Sequence, residues 1–241
     1  MPKQLVDRRI FLSKAGTIAL GCVFAPVALG AQQPLTSAVP KSDKEDGGDE
    51  VTPSEDLMRE HGVLRRVLLV YEEFVRRLDS RGGIDSKLLI SATDIVKNFV
   101  EDYHEKQEED FVFPRLQKAG KQIELVSILL QQHAAGRVVT QKTRTLVNAG
   151  KMKPSTQAEL KNYLQSFIRM YRPHAAREDT VLFPAFSSIL TRNEYDSLGE
   201  QFEKNETKMF GEGGFEKFVD QVESIEKELG IYDLRQFTPR V

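Results

Sequence analysis

Residues 104–114 read HEKQEEDFVFP, and residues 174–184 read HAAREDTVLFP. In both stretches a histidine is followed four residues later by a glutamate and ten residues later by a proline, with phenylalanine before the proline. Residues four apart in an α-helix lie on the same face, so each stretch places an imidazole beside a carboxylate. The two stretches predict two copies of one helical unit, each with a candidate metal-binding face.

A second motif repeats ahead of each of these stretches. His61 is followed four residues later by Arg65, and His133 is followed four residues later by Arg137. The first two helical units therefore echo the next two, and an approximate internal twofold axis is expected. A twofold axis with one ligand set per half suits two metal ions. We expect the two arginines to pair with acids at the surface, Glu105 or Asp179, rather than to shield the metals.

Four long segments carry apolar residues at helical spacing. The first is expected to begin near Ser54 as N-cap, the third to end near residues 148–150, and the fourth to follow Pro154. Short connections between long helices predict an all-α fold, an up-down-up-down four-helix bundle with an internal pseudo-twofold repeat. Residues 192–230 predict one or two further C-terminal helices, broken at residues 211–214.

The chain has four histidines, and all four fall on predicted inner faces, one per helix. A carboxylate inside a helical core is costly unless it is paired or bound to metal. A lone inward histidine is more often a hydrogen-bonded core residue, and an isolated HxxxE is often a surface pair. Their combination on four stripes favours a metal site. The predicted ligands are His61, His104, Glu108, His133, His174 and Glu178.

Ligand chemistry indicates which metal is expected. The only cysteine, Cys22, lies near the N-terminus, so the helical domain offers nitrogen and oxygen donors. Imidazoles combined with carboxylates that can bridge favour a pair of iron ions. In this interpretation Glu108 and Glu178 bridge the ions, and an oxo or hydroxo group bridges them again. His61 and His104 then serve one iron, the other two histidines serve the second, and each iron keeps one open position.

These motifs resemble the hemerythrin-like, or HHE cation-binding, family over roughly residues 55–190. The resemblance implies a four-helix bundle around a non-haem di-iron centre. Oxygen-carrying members supply a second histidine from the third helix, and Arg137 stands at that place here. They also end with an aspartate five residues after the last histidine. Asp179 has that spacing, but Glu178 repeats the phase of Glu108, so Glu178 is the predicted ligand and Asp179 the alternative.

Without the fifth histidine both irons stay open, which resembles bacterial di-iron proteins linked to nitric oxide stress and iron-centre repair. The resemblance implies a protein that binds a diatomic such as NO or O2. Reduction of that ligand, as a di-iron oxidoreductase, would need an electron donor that the sequence does not identify. The alternatives are a non-catalytic oxygen carrier, store or sensor, and a structural metal-binding bundle. A net charge of −2 gives no argument for a nucleic-acid partner.

Three further positions are predicted to shape the surroundings of the metals. Tyr171 faces the same way as His174 and is a candidate to hydrogen-bond a bound diatomic or donate an electron. Packing as a core tyrosine is its equal alternative. Gly136 is expected to leave space beside the metals, and Leu64, at the matching place in the first half, to form an apolar wall.

The N-terminal residues predict export. Residues 7–12 read DRRIFL and precede a weakly apolar run at residues 15–31. This resembles a twin-arginine signal, with a Sec signal or short membrane anchor as the alternative. The residues before Cys22 form a poor lipobox, which disfavours lipidation. We expect a periplasmic protein whose mature form is not embedded in the membrane. The predicted layout is a signal peptide (1–31), a disordered linker (32–52), the bundle (53–190) and a C-terminal helical extension (191–241).

Overall fold

The computed structural model describes residues 51–80, 83–148 and 153–240. The predicted signal peptide, Cys22 and nearly all of the predicted linker lie outside these residues. Six helices and no strands form the described part of the chain, which confirms the all-α prediction. The helices are α1 (Pro53–Asp79), α2 (residues 86–118), α3 (Ile123–Asn148), α4 (residues 154–187), α5 (Arg192–Phe210) and α6 (Gly214–Leu229).

The first four helices form the predicted bundle, joined by short connections. Packing of α4 against both α1 and α3, and of α2 against α3, closes the bundle. The N-cap of α1 is Thr52, whose side chain accepts from the backbone N–H of Glu55 at 3.3 Å. Ser54 was therefore the wrong cap: Pro53 takes the first helical position, where its missing N–H is not needed.

Helices α2 and α4 contain π-helical turns at matching places. Segments Glu108–Val112 and Glu178–Leu182 are π-helical, and an earlier one covers Val96–His104. In both repeats the N–H of the phenylalanine bonds to the carbonyl of the glutamate five residues before it. The prolines that follow do not end the helices, because each falls at the start of a new α-helical turn (Phe113–Lys118 and Phe183–Ser187).

The C-terminal helices cover one side of the bundle. Helix α6 packs against α1 and α2, and α5 packs against α1. Phe218 of α6 lies 4.6 Å, between ring centroids, from Phe99 of α2. Two apolar clusters fill the interior, one containing Leu64 and Phe99 and the other containing Leu57 and Phe183. None of the helices in the described ranges is long and apolar enough to cross a lipid bilayer.

Candidate metal centre

The six predicted ligands converge between the two apolar clusters. Each is at most 4% exposed. Ring centroids lie 4.7 Å apart for His61 and His104, and 5.0 Å apart for His133 and His174. These are the two histidine pairs that the sequence grouped. That the six side chains bind metal stays a prediction. Donor atoms within 4.8 Å of one another form two overlapping groups: Glu108, His133, His174 and Glu178; and His61, His104 and Glu108.

Each glutamate directs one oxygen toward each histidine pair. Glu178 Oε2 lies 3.3 Å from Nε2 of His61, and its Oε1 lies 3.1 Å from Nε2 of His174. Glu108 Oε1 lies 3.7 Å from Nε2 of His104, and its Oε2 lies 3.5 Å from Nε2 of His133. Two donors roughly 2.1 Å from one ion and at right angles lie roughly 3 Å apart. The spacing therefore fits carboxylates that are shared by two ions.

The carboxylate oxygens also lack hydrogen bonds. Both oxygens of Glu108 and of Glu178 are buried. Within the described ranges, no donor is placed to make a hydrogen bond to any of these four oxygens. The same holds for Nε2 of His61. Buried polar atoms of this kind are costly unless a cation or a donor satisfies them. The inner atoms of the site are thus placed for a cation.

The outer nitrogen of every histidine is held by an acceptor. We call Asp179, Glu60, Glu109 and Gln132 the outer acceptors. Their side-chain oxygens lie 2.6, 2.7, 3.1 and 2.8 Å from Nδ1 of His61, His104, His133 and His174, respectively. Carboxylate and amide oxygens accept, so each Nδ1 donates and the lone pair of each neutral imidazole is on Nε2. This is the arrangement that orients histidines for metal binding.

Two inner nitrogens of the site lie close together. Nε2 of His133 and Nε2 of His174 lie 3.2 Å apart. Because both outer nitrogens donate, two neutral imidazoles would face each other with lone pairs. A cation shared by the two nitrogens, either a proton or a metal ion, removes that repulsion. The histidine pair, like the carboxylates, is therefore placed for a cation.

The surroundings repeat the internal twofold. Glu109 and Asp179 each follow the histidine of their own helix by five residues and bind the histidine of a neighbouring helix. Phe113 stacks on His133 at 5.5 Å and Phe183 stacks on His61 at 5.6 Å between ring centroids. The Phe-Pro of each repeat thus supplies an apolar lid over an imidazole. The repeated phenylalanine was evident in the sequence, but its contact with a histidine ring was not predicted.

The pKa values of the site residues reflect burial and close charges. Burial, reinforced by the charge of Glu178, raises the pKa of Glu108 well above its usual range. Burial also opposes ionisation of Glu178, but His174 and His61 outweigh it and lower the pKa. Burial lowers the pKa of His61, yet the hydrogen bond to Asp179 and the nearby Glu178 carboxylate raise it overall to about 9. Metal binding must therefore displace protons from this site, so affinity falls as pH falls.

Both arginines pair with acids outside the predicted ligand set. Arg65 pairs with Asp179. Arg137 NH2 lies 2.7 Å from Glu105 Oε2 and 2.7 Å from Glu109 Oε1. The expected pairing partners are present, but the expected surface location is wrong for Glu105, which is 1% exposed. Burial raises the pKa of Glu105 to about 7.

Tyr171 and Gly136 form one wall beside His174. The Tyr171 hydroxyl donates to Glu105 Oε1 at 2.6 Å, and its ring lies 5.2 Å from that of His174. A Cβ on Gly136 would lie 2.0 Å from the Tyr171 hydroxyl oxygen. Gly136 therefore makes room for the tyrosine, and the expectation that it leaves space beside the metals is wrong. Leu64 is buried at the matching place, as expected.

The sequence interpretation missed three of the four outer acceptors. Glu60 and Gln132 directly precede the first and third histidines, and Glu109 directly follows a predicted ligand. Glu60 and Gln132 occupy equivalent positions in the two repeats, as do Glu109 and Asp179. That equivalence is visible in the sequence and could have identified them. Asp179, weighed as a ligand, faces the outer nitrogen of His61, whereas Glu178 faces the inner one. The geometry thus separates the two neighbouring acids by role.

Comparisons with known proteins agree with this site. The chain matches the family described as Hemerythrin HHE cation binding domain over residues 52–186. Three relatives, uncharacterized proteins from Mycobacterium bovis and from two strains of Mycobacterium tuberculosis, are each 42% identical over 244 residues, covering 99% of this chain and 93% of the relative. No solved structure matches. The family match and the buried histidine–glutamate cluster lead to one conclusion: the chain is a metal-binding helical protein that belongs to the hemerythrin HHE cation-binding family.

Proposed function

We propose that this chain is a periplasmic non-haem di-iron protein that binds a diatomic ligand, NO or O2. The observation that carries the proposal is the arrangement of six donors, in which each of two buried glutamates directs one oxygen to each histidine pair. His61 and His104 would hold one ion, His133 and His174 the other, and Glu108 and Glu178 would offer one oxygen to each. Nitrogen and oxygen donors with bridging carboxylates suit iron.

Open coordination positions follow from Arg137. In the oxygen carriers of this family a histidine at that place would add a further imidazole to one ion. Here the guanidinium pairs with Glu105 and Glu109 instead. Neither ion would then gain a third imidazole, and each would keep a position for an exogenous ligand. Reduced iron ions, when bound, supply electrons to the diatomic.

The chain's own residues prepare the site for this chemistry. The outer acceptors fix the imidazole rings, and Phe113 and Phe183 cover two of them with apolar surface. Reduction of two NO molecules to N2O and water consumes two electrons and two protons. Turnover therefore needs an electron donor, which we propose as a separate partner protein.

Metal analysis and spectroscopy test the proposal. The protein is loaded anaerobically with Fe(II), its iron content is measured, and its optical spectra are followed under NO and under O2 with N2O measured in the headspace. We expect two irons per chain, an NO adduct, and N2O when a reductant is supplied. Reversible O2 adducts without N2O would identify a carrier instead. A single zinc per chain would contradict both.

A variant pair ties the result to the site. Glu108→Gln removes a shared donor and should lose both irons and the NO spectrum. Asp110→Asn, two residues along the same helix, changes an exposed carboxylate that pairs with Lys106 and should keep both. Equal loss of iron in the two variants would count against the assigned site.

Export is a separate part of the proposal. It is supported by the paired arginines Arg8 and Arg9 ahead of the weakly apolar run at residues 15–31. Replacing both arginines with lysine should hold the protein in the cytoplasm, as measured by cell fractionation against periplasmic and cytoplasmic markers. Unchanged export of that variant would indicate a different route.

A further inference from the structure

We propose that the two metal positions are chemically unequal, and that Gln132 is the positioning residue that makes the His133–His174 position the weaker one. This inference rests on the proposed two-metal centre and adds a difference between its halves. It concerns the acceptors behind the histidines, which the family match does not assign.

Two of the four outer acceptors are matched across the twofold. Asp179 behind His61 and Glu109 behind His133 are both carboxylates. Each also pairs with the arginine that follows the histidine it holds, Arg65 in one half and Arg137 in the other. His61 and His133 are therefore supported by acceptors of the same charge, at 2.6 and 3.1 Å, and the charge of this pair of acceptors does not distinguish the metal positions.

The other two outer acceptors differ in charge. Glu60 and Gln132 are twofold-related, since each directly precedes the first histidine of its half. Glu60 Oε2 lies 2.7 Å from Nδ1 of His104, and Gln132 Oε1 lies 2.8 Å from Nδ1 of His174. Geometry is thus preserved while a carboxylate is replaced by a neutral amide. A carboxylate acceptor makes the imidazole a stronger donor, and changes of such partners alter metal affinity by about 10–100-fold.

The other residues that differ between the halves, Tyr171 and Leu64, make no hydrogen bond to an imidazole nitrogen in the described contacts. The Tyr171 hydroxyl is bound to Glu105 rather than to an imidazole nitrogen. Leu64, at the place that corresponds to Gly136, is apolar. The exchange of Glu60 for Gln132 is therefore the difference in acceptor charge that reaches a ligand by direct hydrogen bond, and it makes His174 a weaker donor than His104.

Two mirrored variants test the inference. Anaerobic Fe(II) titration with a competing chelator gives the affinity of each ion, and Mössbauer spectra of 57Fe-loaded protein report whether the two irons are equivalent. In the wild type we expect two classes of site about tenfold apart in affinity and two spectral components. Gln132→Glu should tighten the weaker site, and Glu60→Gln should loosen the tighter one. Both should reduce the separation, by shifts in opposite directions.

A control variant and the number of irons per chain distinguish an effect of Gln132 from a general effect of added charge or damage to the fold. Gln131→Glu adds the same charge at the exposed neighbouring position and should leave both affinities unchanged. Damage to the fold would weaken binding in both mirrored variants, so opposite shifts are the diagnostic result. Two equivalent irons in the wild type, or an unchanged separation in Gln132→Glu, overturn the inequality alone. One iron per wild-type chain overturns the two-metal centre, and the inequality with it.

Discussion

The half formed by α1 and α2 and the half formed by α3 and α4 repeat the same donors but differ in what surrounds them. On α1, Val63 and Val70 are 1% and 0% exposed and belong to the cluster that includes Phe218 of α6. The corresponding residues on α3 are Ala135 and Lys142, and both are exposed. Helix α6 packs on α1 and α2 of the first half, whereas Tyr195 of α5 also reaches Ser187 at the end of α4. The inner residues that repeat are those that the predicted metal site needs. The outer residues differ between the halves because each outer face is either packed against another helix or exposed to solvent.

Polar anchors show the same contrast. Arg66 of α1 binds Glu226 of α6, with NH2 and Oε2 2.6 Å apart, and Arg77 donates to the backbone carbonyl of Leu229 at 2.7 Å. The place of Arg66 is taken on α3 by Val138, which is 53% exposed. The first half therefore has a binding surface for α6, and the corresponding positions of the second half do not form one.

The largest expected effect comes from breaking what the halves share. Glu178→Gln removes a carboxylate that faces both histidine pairs, so we expect loss of both irons. Asp179→Asn keeps an acceptor for His61 and removes only its charge, so we expect two irons with about 10–100-fold weaker binding. Iron-to-protein ratio and chelator competition measure the two effects. The reverse result would make Asp179 the ligand and overturn the assigned roles.

Sequence alone predicted the elements and the donors because both depend on local periodicity. Each of the four histidines falls on the apolar face of its own helix, and two of them begin an HxxxE stretch. These two features sufficed to group the residues that the structure brings together. The outer acceptors escaped notice because their partners lie on neighbouring helices, as in the contact of Glu60 with His104. The role of Gly136 escaped for the same reason, since only the packed position of Tyr171 explains it. The C-terminal helices were predicted, but the side of the bundle that they cover was not.

Substitutions in the two walls of the centre are expected to have the second-largest effect. Leu64→Ala leaves a cavity in the first half and should lower the free energy of unfolding by about 2–5 kcal/mol. Gly136→Ala places a Cβ 2.0 Å from the Tyr171 hydroxyl oxygen and should cost about 1–3 kcal/mol through overpacking. Urea denaturation of the iron-loaded variants measures both. A neutral Gly136→Ala would mean that Tyr171 moves aside, which loss of its contact with Glu105 would reveal as a changed tyrosine spectrum.

The smallest expected effect concerns the acid sensitivity of the covered half. Glu73 of α1 accepts from Arg76 and Arg77 at 2.7 and 2.6 Å, and the bond from Arg76 is the main cause that lowers the pKa of Glu73 below its usual 4.5. A lowered folded pKa contributes stability that is present above pH 4.5 and lost as pH falls below it. Thr145 stands at the corresponding place on α3 and bonds only to the Gln141 carbonyl among the described contacts.

Glu73→Gln should therefore cost about 0.5 kcal/mol of unfolding free energy at pH 7, the size expected for partly exposed helical ion pairs, and less at pH 3.5. Urea denaturation of wild type and variant at both pH values measures this, and acid effects on the distant metal site cancel in the difference. Thr145→Val is the matched control and should show the same difference at both pH values. If the deficit of Glu73→Gln is also independent of pH, Glu73 acts by packing and its ion pairs with Arg76 and Arg77 contribute no stability.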